Sequence, residues 1–436
     1  MSSTSVKRRR VVITGYGTLN PLGASAEDTF ARASRGESGI SEIRAFDTTG
    51  LPCRIGGEVN NDWLKPLDTF APYRKARCGK FSSRAVDMMI LATREAAEMA
   101  NLDQVRDRYR IGCSLGSHGE NPSTGEMRFL HRFYHEKTGW NLRELEATGG
   151  FSYMSFLKRK PDVAPAILAR LFDCRGSSLS IVSACAAGAQ AIGEAFRLIQ
   201  DEKCDVMVAG GCEATLNFSG FIGFVLIKAM AEKYTTPQTA SRPFDRKRNG
   251  FVMSEGAGAL ILEELEHARR RGAKILGELR GYGDSADAYR ITDTHPKGEG
   301  AILAMSRAMA DGGVLPEEID YINAHGTSTA QNDLTESRAI EAVLGEHASR
   351  IPVSSNKSML GHTIAAAGAI ESILSLMGMQ KSIILPTINH EFPDKKCRLD
   401  YVPNKARHQP HRILLSNSFG FGGQNACLCL AAWDGS

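Results

Sequence analysis

The chain has 436 residues, of which 42% are hydrophobic and 23% charged, as in an ordinary globular protein of one large domain or two fused ones. A formal net charge of +4 is too small to predict nucleic-acid binding, although it permits a local basic patch for an acidic protein partner. No stretch approaches the roughly 18 apolar residues of a membrane span. The basic start precedes an apolar run too short for a secretory signal, so none is expected.

Short apolar strands alternate with small-residue helices along the chain. The predicted strands are residues 11–14, 110–113, 179–182, 206–209, 321–323 and 351–354. The predicted helices are residues 185–199, 334–343 and 364–377. Such alternation indicates an α/β protein with mostly parallel sheets.

Both halves of the chain repeat one order of units, in which a strand and a small-residue turn lead into an alanine- and glycine-rich helix. This unit spans residues 180–198 in the first half and 353–376 in the second. A duplicated fold is the hypothesis, and the alternative is that any two βα units look alike. Residues 118–165 break the rhythm because they are long, polar and aromatic, and both a cap over a pocket and a subunit contact remain open.

The motif SACAAG at residues 183–188 places Cys185 directly after an apolar strand and at the start of a helix. A helix N-terminus stabilises a thiolate, so this position predicts a thiol with a lowered pKa and high reactivity. The small neighbours leave room for a bulky acyl group. The alternative is a core cysteine packed on a helix, since free cysteines are commonly buried.

Two histidines stand in turns beside glycine, His325 before Gly326 and His362 after Gly361. His325 ends a predicted strand, a position that projects into the crevice where α/β folds bind ligands. A structural role for each histidine is the alternative. A thiol with two imidazoles suits a reaction that forms a thioester and then builds an anion beside it, which is the chemistry of carbon–carbon bond formation.

Lys357 and Glu371 bracket His362, and Glu371 lies in an apolar helix where a charge needs a partner. An ion pair between them is predicted, with a solvated helix face as the alternative. The glycine-rich residues 417–425 can turn N–H groups toward a ligand, but they lack the Lys-Ser/Thr of a phosphate loop. The glycines near residue 15 have the wrong spacing for a dinucleotide site.

Ten cysteines are scattered along the chain without a CxxC pair, and several lie inside apolar runs. Buried, reduced thiols of a cytosolic protein are the better interpretation, so a cytoplasmic location is expected. His131 and His135 are four residues apart, but the Glu that follows the first histidine of a zinc-protease helix is absent. No metal site is therefore predicted.

Six motifs together resemble those of the β-ketoacyl-[acyl-carrier-protein] synthases, closest to the synthase II-like branch of the thiolase-fold condensing enzymes. They are SACAAG at 183–188, RPFD at 242–245, GFVMSEG at 250–256, NAHGTST at 323–329, KSMLGH at 357–362 and NSFGFGG at 417–423. The resemblance covers nearly the whole chain and implies an α/β, thiolase-like, duplicated five-layer αβαβα fold with mixed sheets. Its halves would be residues 1–275, with Cys185 and an inserted cap segment at 118–165, and residues 276–436, with both histidines.

The same resemblance assigns catalytic roles. Cys185 would take the acyl chain from acyl carrier protein, while His325 and His362 would promote decarboxylation of malonyl carrier protein and stabilise the enolate. Lys357 and Glu371 would order the histidines. The backbone N–H groups of Cys185 and Phe421 would form the oxyanion hole, and Phe421 would also act as a gate.

Binding positions follow from the resemblance too. Thr327 and Thr329 would hold the phosphopantetheine arm, Phe419 would contact substrate, and Asp287 matches a family loop position near the cavity. Docking of the acidic carrier protein would use four basic residues, Arg74, Lys75, Arg77 and Lys80, with a solvated charge run as the alternative. Members of the family are homodimers and consume no cofactor.

The chain departs from the synthase II pattern in a longer, more basic segment at 118–160, at Gln424 and at residues 186–187. These departures leave the catalytic set intact but open the question of acyl chain length. The main hypothesis is a decarboxylating condensing enzyme of fatty acid elongation. Its alternatives are a specialised ketosynthase of a polyketide or polyene pathway and a non-catalytic chain-length partner subunit. The second histidine disfavours a cysteine protease, an ordinary thiolase and the synthase III branch.

Overall fold

The structure, a computed structural model, describes residues 8–150, 153–291 and 294–435. Its strands are β1 (Val11–Leu19), β2 (Ser41–Glu42), β3 (Ile55–Gly56), β4 (Ile111–Gly116), β5 (Tyr134–His135), β6 (Gly139–Trp140), β7 (Ser178–Ile181), β8 (Val206–Glu213), β9 (Gly256–Glu264), β10 (Gly277–Ala286), β11 (Tyr321–Asn323), β12 (Val353–Ser354), β13 (Ile383–Ile384), β14 (Arg407–His408), β15 (Ile413–Phe419) and β16 (Gln424–Ala431). Its helices are α1 (Ala26–Ser34), α2 (Ala71–Lys75), α3 (Arg84–Ala100), α4 (Thr124–His131), α5 (Leu142–Ala147), α6 (Tyr153–Leu157), α7 (Val163–Phe172), α8 (Ala187–Gln200), α9 (Phe218–Leu226), α10 (Leu265–Arg270), α11 (Glu299–Gly312), α12 (Ala330–Leu344), α13 (Lys357–Leu360) and α14 (Ala367–Lys381).

Ten of the strands form one mixed sheet in the order β12-β11-β15-β16-β10-β1-β9-β8-β4-β7. Each half of the chain contributes five strands, β7-β4-β8-β9-β1 from the first half and β12-β11-β15-β16-β10 from the second. In each half the first three strands of this order are parallel to one another, and each of the last two is antiparallel to the strand before it. The halves join where β1 pairs with β10. The repeated order confirms the duplicated fold.

Five of the nine neighbouring strand pairs in this sheet are antiparallel, so the expectation of mostly parallel sheets is wrong. Antiparallel neighbours need no crossover helix between them. The short loop at residues 420–423 connects β15 directly to β16, so no helix stands between these two strands in the sequence to indicate that they pair.

Helices and sheet halves stack in five layers. Helices α8 and α14 lie against each other in the middle and share one apolar core with strands of both halves. Helices α3 and α7 cover the outer face of the first half, and α11 and α12 cover that of the second. This is the thiolase-like αβαβα fold, and the central helix layer carries the candidate site at its start.

The two central helices begin in the same way. A 3-10 turn at Ala184–Ala186 leads into α8, and another at Ile364–Ala366 leads into α14. The turns press together so closely that a Cβ added at Gly188 would lie 2.5 Å from the carbonyl oxygen of Ala365. Glycine at position 188 is therefore required by packing between the start of α8 and the second turn.

The predicted cap segment at 118–165 contains α4, a hairpin of β5 and β6, α5, α6 and the start of α7, with residues 151 and 152 outside the described part. Several of its apolar side chains are exposed, among them Met127, Trp140 and Leu142, whereas Phe133 is buried. At its base, His118 Nδ1 lies 2.5 Å from the buried Glu213 Oε2, and this pair ties the segment to the end of β8.

All ten cysteines are free and buried, as the sequence predicted. No helix within the described residues combines the length and apolar character that a bilayer span requires.

Candidate active site

Cys185 lies in the 3-10 turn at Ala184–Ala186, which leads directly into α8, so the helix begins two residues later than its predicted start at residue 185. Ala184 has a φ of 47°, a left-handed conformation that costs a non-glycine residue of order 1–3 kcal/mol and is concentrated at functional sites. Ile364 opens the equivalent turn of the second half with the same φ of 47°. Ala365 follows it where Cys185 follows Ala184, so only one of the two duplicated turns carries a thiol.

Both predicted histidines lie next to the Cys185 thiol. Nε2 of His362 lies 3.0 Å from Sγ of Cys185, although the two residues are 177 positions apart in the sequence. The rings of His325 and His362 stand edge to face with their centroids 5.3 Å apart. All three side chains are buried, each with 2% or less of its surface exposed. The structure thus brings the predicted triad into one enclosed site.

Hydrogen bonding sets the proton position on His362. The backbone N–H of Ile364 donates to Nδ1 of His362 at 3.3 Å, so the neutral ring carries its proton on Nε2, facing the sulfur. Burial lowers the pKa of His362 well below its usual value, and the nearby charge of Lys357 lowers it further. The pKa of His325 is lowered in the same way by burial, Lys357 and His362. Both rings are therefore neutral hydrogen-bond donors at physiological pH.

His325 is held by a residue that sequence reasoning missed. Glu336 on α12 accepts hydrogen bonds from the backbone N–H groups of His325 at 2.8 Å and Gly326 at 2.7 Å. Burial raises the pKa of Glu336 to about 7, and these two N–H groups oppose the rise. A carboxylate nearly two turns into the helix that follows the histidine motif was the available signal in the sequence.

The predicted ion pair of Lys357 and Glu371 is present behind the histidines. Nζ of Lys357 lies 2.5 Å from Oε1 of Glu371, and the side chains are only 1% and 2% exposed. Burial raises the pKa of Glu371 to about 7, whereas the charge of Lys357 opposes that shift. A fixed cation thus stands close to both imidazoles and the thiol.

The prediction of a lowered thiol pKa is wrong for this resting site. Burial raises the pKa of Cys185 to about 12, although the backbone N–H of Phe421 and the charge of Lys357 oppose the rise. The helix N-terminus argument considered local sequence only, and complete removal from water outweighs it. The Cys185 side chain is therefore a protonated thiol in the resting site, with N–H donors already arranged around its sulfur.

A cavity of about 420 Å³ leads from the surface to the triad. Besides the triad itself, four of the predicted residues line it, namely Thr327, Thr329, Phe419 and Phe421. The hydroxyls of Thr327 and Thr329 lie 3.0 Å apart and face the passage as a pair. One wall holds Thr327, Thr329 and residues 330–332, and a second wall holds residues 227–229 and 249–251, to which sequence reasoning assigned no role. None of these lining residues comes from the cap segment.

Asp287 is not among the residues that line this cavity. Its N–H donates to the carbonyl oxygen of Gly423 at 2.8 Å, and its Oδ1 accepts from Nδ2 of Asn425 at 2.8 Å. Asp287 therefore supports the loop that carries Phe421, and its contact with substrate stays a prediction.

The four basic residues of the predicted docking patch are all exposed on α2 and the turn after it. Arg74, Arg77 and Lys80 border a separate surface hollow and do not reach the mouth of the catalytic cavity in the same chain.

The thiol and the two imidazoles place three ligand atoms within 4.8 Å of one another, close enough to be considered for a metal ion. Coordination by Nε2 of His362 would require its lone pair, yet the N–H of Ile364 directed at Nδ1 keeps the proton on Nε2. In this structure Nε2 of His362 is therefore a hydrogen-bond donor.

Comparison with known proteins agrees with this geometry. The chain matches the family model described as beta-ketoacyl synthase, N-terminal domain, over residues 8–268 and the corresponding C-terminal domain over residues 276–391. It is 39% identical to 3-oxoacyl-[acyl-carrier-protein] synthase 2 of Synechocystis over 99% of this chain and 100% of that protein. It is 37% identical to the protein of the same name from Coxiella burnetii over 98% of this chain and 99% of that protein.

Two solved structures are similar to this chain over their whole length. One, described as a type II PKS acyl-carrier protein in complex with its ketosynthase bound to the hexaketide, has a TM-score of 0.86 at 32% identity, covering 98% of this chain and 100% of that one. A beta-ketoacyl synthase from Burkholderia phymatum has a TM-score of 0.83 at 28% identity, with the same coverages. The chain therefore belongs to the β-ketoacyl synthase family.

Proposed function

We propose that this chain is a 3-oxoacyl-[acyl-carrier-protein] synthase, an acyltransferase that elongates fatty acyl chains by decarboxylative Claisen condensation. The observation that carries the proposal is the buried contact of Cys185 Sγ with His362 Nε2 at 3.0 Å, beside His325, at the end of a cavity lined by paired threonine hydroxyls. Relatives 37–39% identical over nearly the full chain and named 3-oxoacyl-[acyl-carrier-protein] synthase 2 support it.

The first step is acyl transfer. The sulfur of Cys185 attacks the carbonyl carbon of an acyl thioester on the carrier protein, and the carbon–sulfur bond to the carrier arm breaks. The proton of the Cys185 thiol passes to the departing arm thiol, so no net proton is consumed. The backbone N–H groups of Cys185 and Phe421 stabilise the tetrahedral oxyanion, an effect worth about 3–4 kcal/mol per donor in comparable sites.

The second step makes the carbon–carbon bond. The Nε2–H groups of His325 and His362 donate to the thioester oxygen of malonyl carrier protein, and loss of CO₂ leaves its electron pair as an enolate. That carbon attacks the acyl group on Cys185, and the 3-oxoacyl chain remains on the carrier while the sulfur leaves and takes up a proton. Neutral imidazoles suit this step because each must give a hydrogen bond without giving up its proton.

Access to the thiol depends on the loop after β15. The Phe421 ring lies 6.1 Å from that of Phe224 and packs against the apolar cluster around Cys185, a position suited to a gate between the carrier arm and the acyl chain. Thr327 and Thr329 would hold the amides of the phosphopantetheine arm.

The partner we propose is acyl carrier protein, in its acyl and malonyl forms, with the patch of Arg74, Lys75, Arg77 and Lys80 as its docking surface. We also propose a homodimer, because β7 ends the sheet with one edge unpaired among the described residues. The free buried thiols support a cytoplasmic location. The repeated strand order supports halves at residues 1–275 and 276–436.

Mass measurement of the intact protein tests the function. After incubation with acyl carrier proteins bearing C4 to C18 chains, wild-type protein should gain the acyl mass, and the Cys185→Ala variant should not. Malonyl carrier protein should then release CO₂ and yield a 3-oxoacyl carrier. Acylation retained in Cys185→Ala would contradict the assignment.

A polyketide or polyene ketosynthase is the second candidate, favoured by the 32% identity to the hexaketide-bound ketosynthase described above. Repeated condensation without reduction of the 3-oxo product would support it, and a single extension of saturated chains would exclude it. A non-catalytic partner subunit is disfavoured because Cys185, His325 and His362 are all present.

A further inference from the structure

Arg248 is a buried cation close to the cavity that no step of the proposed reaction uses. Its side chain is 5% exposed, and its next three residues, 249–251, form one wall of the passage. The guanidinium bonds to the other wall: Nε donates to the carbonyl oxygen of Thr329 at 3.2 Å and an Nη to that of Ala330 at 3.1 Å. Arg248 therefore ties the two walls together.

Two carboxylates hold that guanidinium in place. Oδ2 of Asp394 accepts from the other Nη of Arg248 at 2.8 Å, and Oδ2 of the fully buried Asp333 lies 3.7 Å from Nε. Asp333 also accepts the backbone N–H of Ser328 at 3.2 Å and of Phe244 at 2.7 Å. We call Arg248, Asp333 and Asp394 the arginine clamp.

The backbone between the two threonines needs such support. Ser328 has a φ of 70°, a conformation that side-chain-bearing residues rarely adopt and that the surroundings must impose. Its carbonyl oxygen accepts the N–H of Gly250 at 3.0 Å, a second bond between the walls beside the clamp. The strained residue turns the flanking hydroxyls of Thr327 and Thr329 to the same side, 3.0 Å apart.

We infer that Arg248 is a positioning residue that sets the width of the passage and the presentation of the two threonine hydroxyls to the amides of the carrier arm. The inference rests on the proposed function. A planar guanidinium donates in fixed directions to several acceptors at once, which a lysine ammonium on a flexible stem does not reproduce. The clamp acts on the arm and not on the reacting atoms, since none of its members contacts the triad.

The test compares two malonyl thioesters, one on the full carrier protein and one on a short alkyl thiol that lacks the arm amides. The Arg248→Lys variant should raise KM for the carrier substrate about tenfold with little change in kcat, the pattern of lost binding. Its release of CO₂ from the short thioester should match that of wild type. Asp394→Asn, which keeps Arg248 and removes one partner, should raise the same KM about two- to threefold.

Arg271→Lys is the matched control, because the Arg271 side chain, 12% exposed, makes a bidentate pair with Glu263 away from the cavity. It should leave both substrates unaffected. Equal losses on both substrates in Arg248→Lys, or an unchanged KM for the carrier substrate, would overturn the positioning role. Turnover of both substrates by wild type tests the proposed function separately. The ratio of kcat/KM for the carrier substrate to kcat/KM for the short thioester, compared between each variant and wild type, tests the clamp.

Discussion

Removal of one partner from the Lys357–Glu371 pair should destabilise the protein far more than removal of both. The Glu371→Leu variant leaves the Lys357 ammonium buried at 1% exposure without its counterion. Breaking such a pair costs about 3–5 kcal/mol, whereas replacing both charges by apolar side chains is often neutral. We therefore expect the Lys357→Met/Glu371→Leu double variant to recover most of the lost free energy of unfolding.

Urea denaturation of wild type, Glu371→Leu and the double variant measures this difference in the free energy of unfolding. The Glu371→Leu penalty should shrink between pH 7 and pH 9, because an unpaired buried lysine has a lowered pKa and sheds its charge as the pH rises. Glu27→Leu is the control: Glu27 pairs with Lys381 on the surface at 3.0 Å, with side chains 70% and 39% exposed, and its loss should cost less than about 1 kcal/mol. A double variant as unstable as Glu371→Leu would refute the reasoning.

The same double variant separates stability from catalysis. The charge of Lys357 lowers the pKa of Cys185 and of both histidines, so its removal should raise the thiol pKa further. We expect a folded protein whose Cys185 is acylated more slowly than in wild type at pH 8. An unchanged acylation rate would show that the pair acts only on the fold.

Two further predictions follow from burial and packing. Because the pKa of Cys185 is raised to about 12, the fraction of thiolate should grow as the pH rises, and alkylation by iodoacetamide should accelerate from pH 7 to pH 10 without levelling off; a plateau below pH 8 would contradict this. In Gly211→Ala, the new Cβ would lie 2.5 Å from the carbonyl oxygen of Ala365. The free energy of unfolding should therefore fall by about 1–3 kcal/mol, and condensation should slow. The control is Gly223→Ala, which has open space around the new Cβ and should leave both quantities unchanged.

The chemistry of this site could be predicted from the sequence because it depends on the types of residue that stand in a few turns. A thiol and two imidazoles beside glycine predicted acyl transfer followed by carbanion chemistry, and the apolar, small-residue helix around Glu371 predicted its pairing with Lys357. The strand at Tyr321–Asn323 was predicted at its observed bounds, since a short buried strand is defined by its own apolar run. Repetition of such units predicted the duplication.

Strands and charged residues whose roles depend on distant parts of the chain were not predicted from the sequence. The strands β9, β10, β15 and β16 were not predicted, because their antiparallel pairing is decided by partners elsewhere in the sheet. Glu336 and Arg248 were missed, because a charged side chain in a helix or loop looks solvated until the fold buries it.

The sequence by itself determined the reacting groups, the apolar segments and their repeated order, all of which are local properties of residue type. The tertiary structure alone decided the 3.0 Å contact of Cys185 with His362, the support of the phenylalanine loop by Asp287 and the raised thiol pKa. These depend on distance and on exclusion of water, and both are set by contacts between residues far apart in the chain.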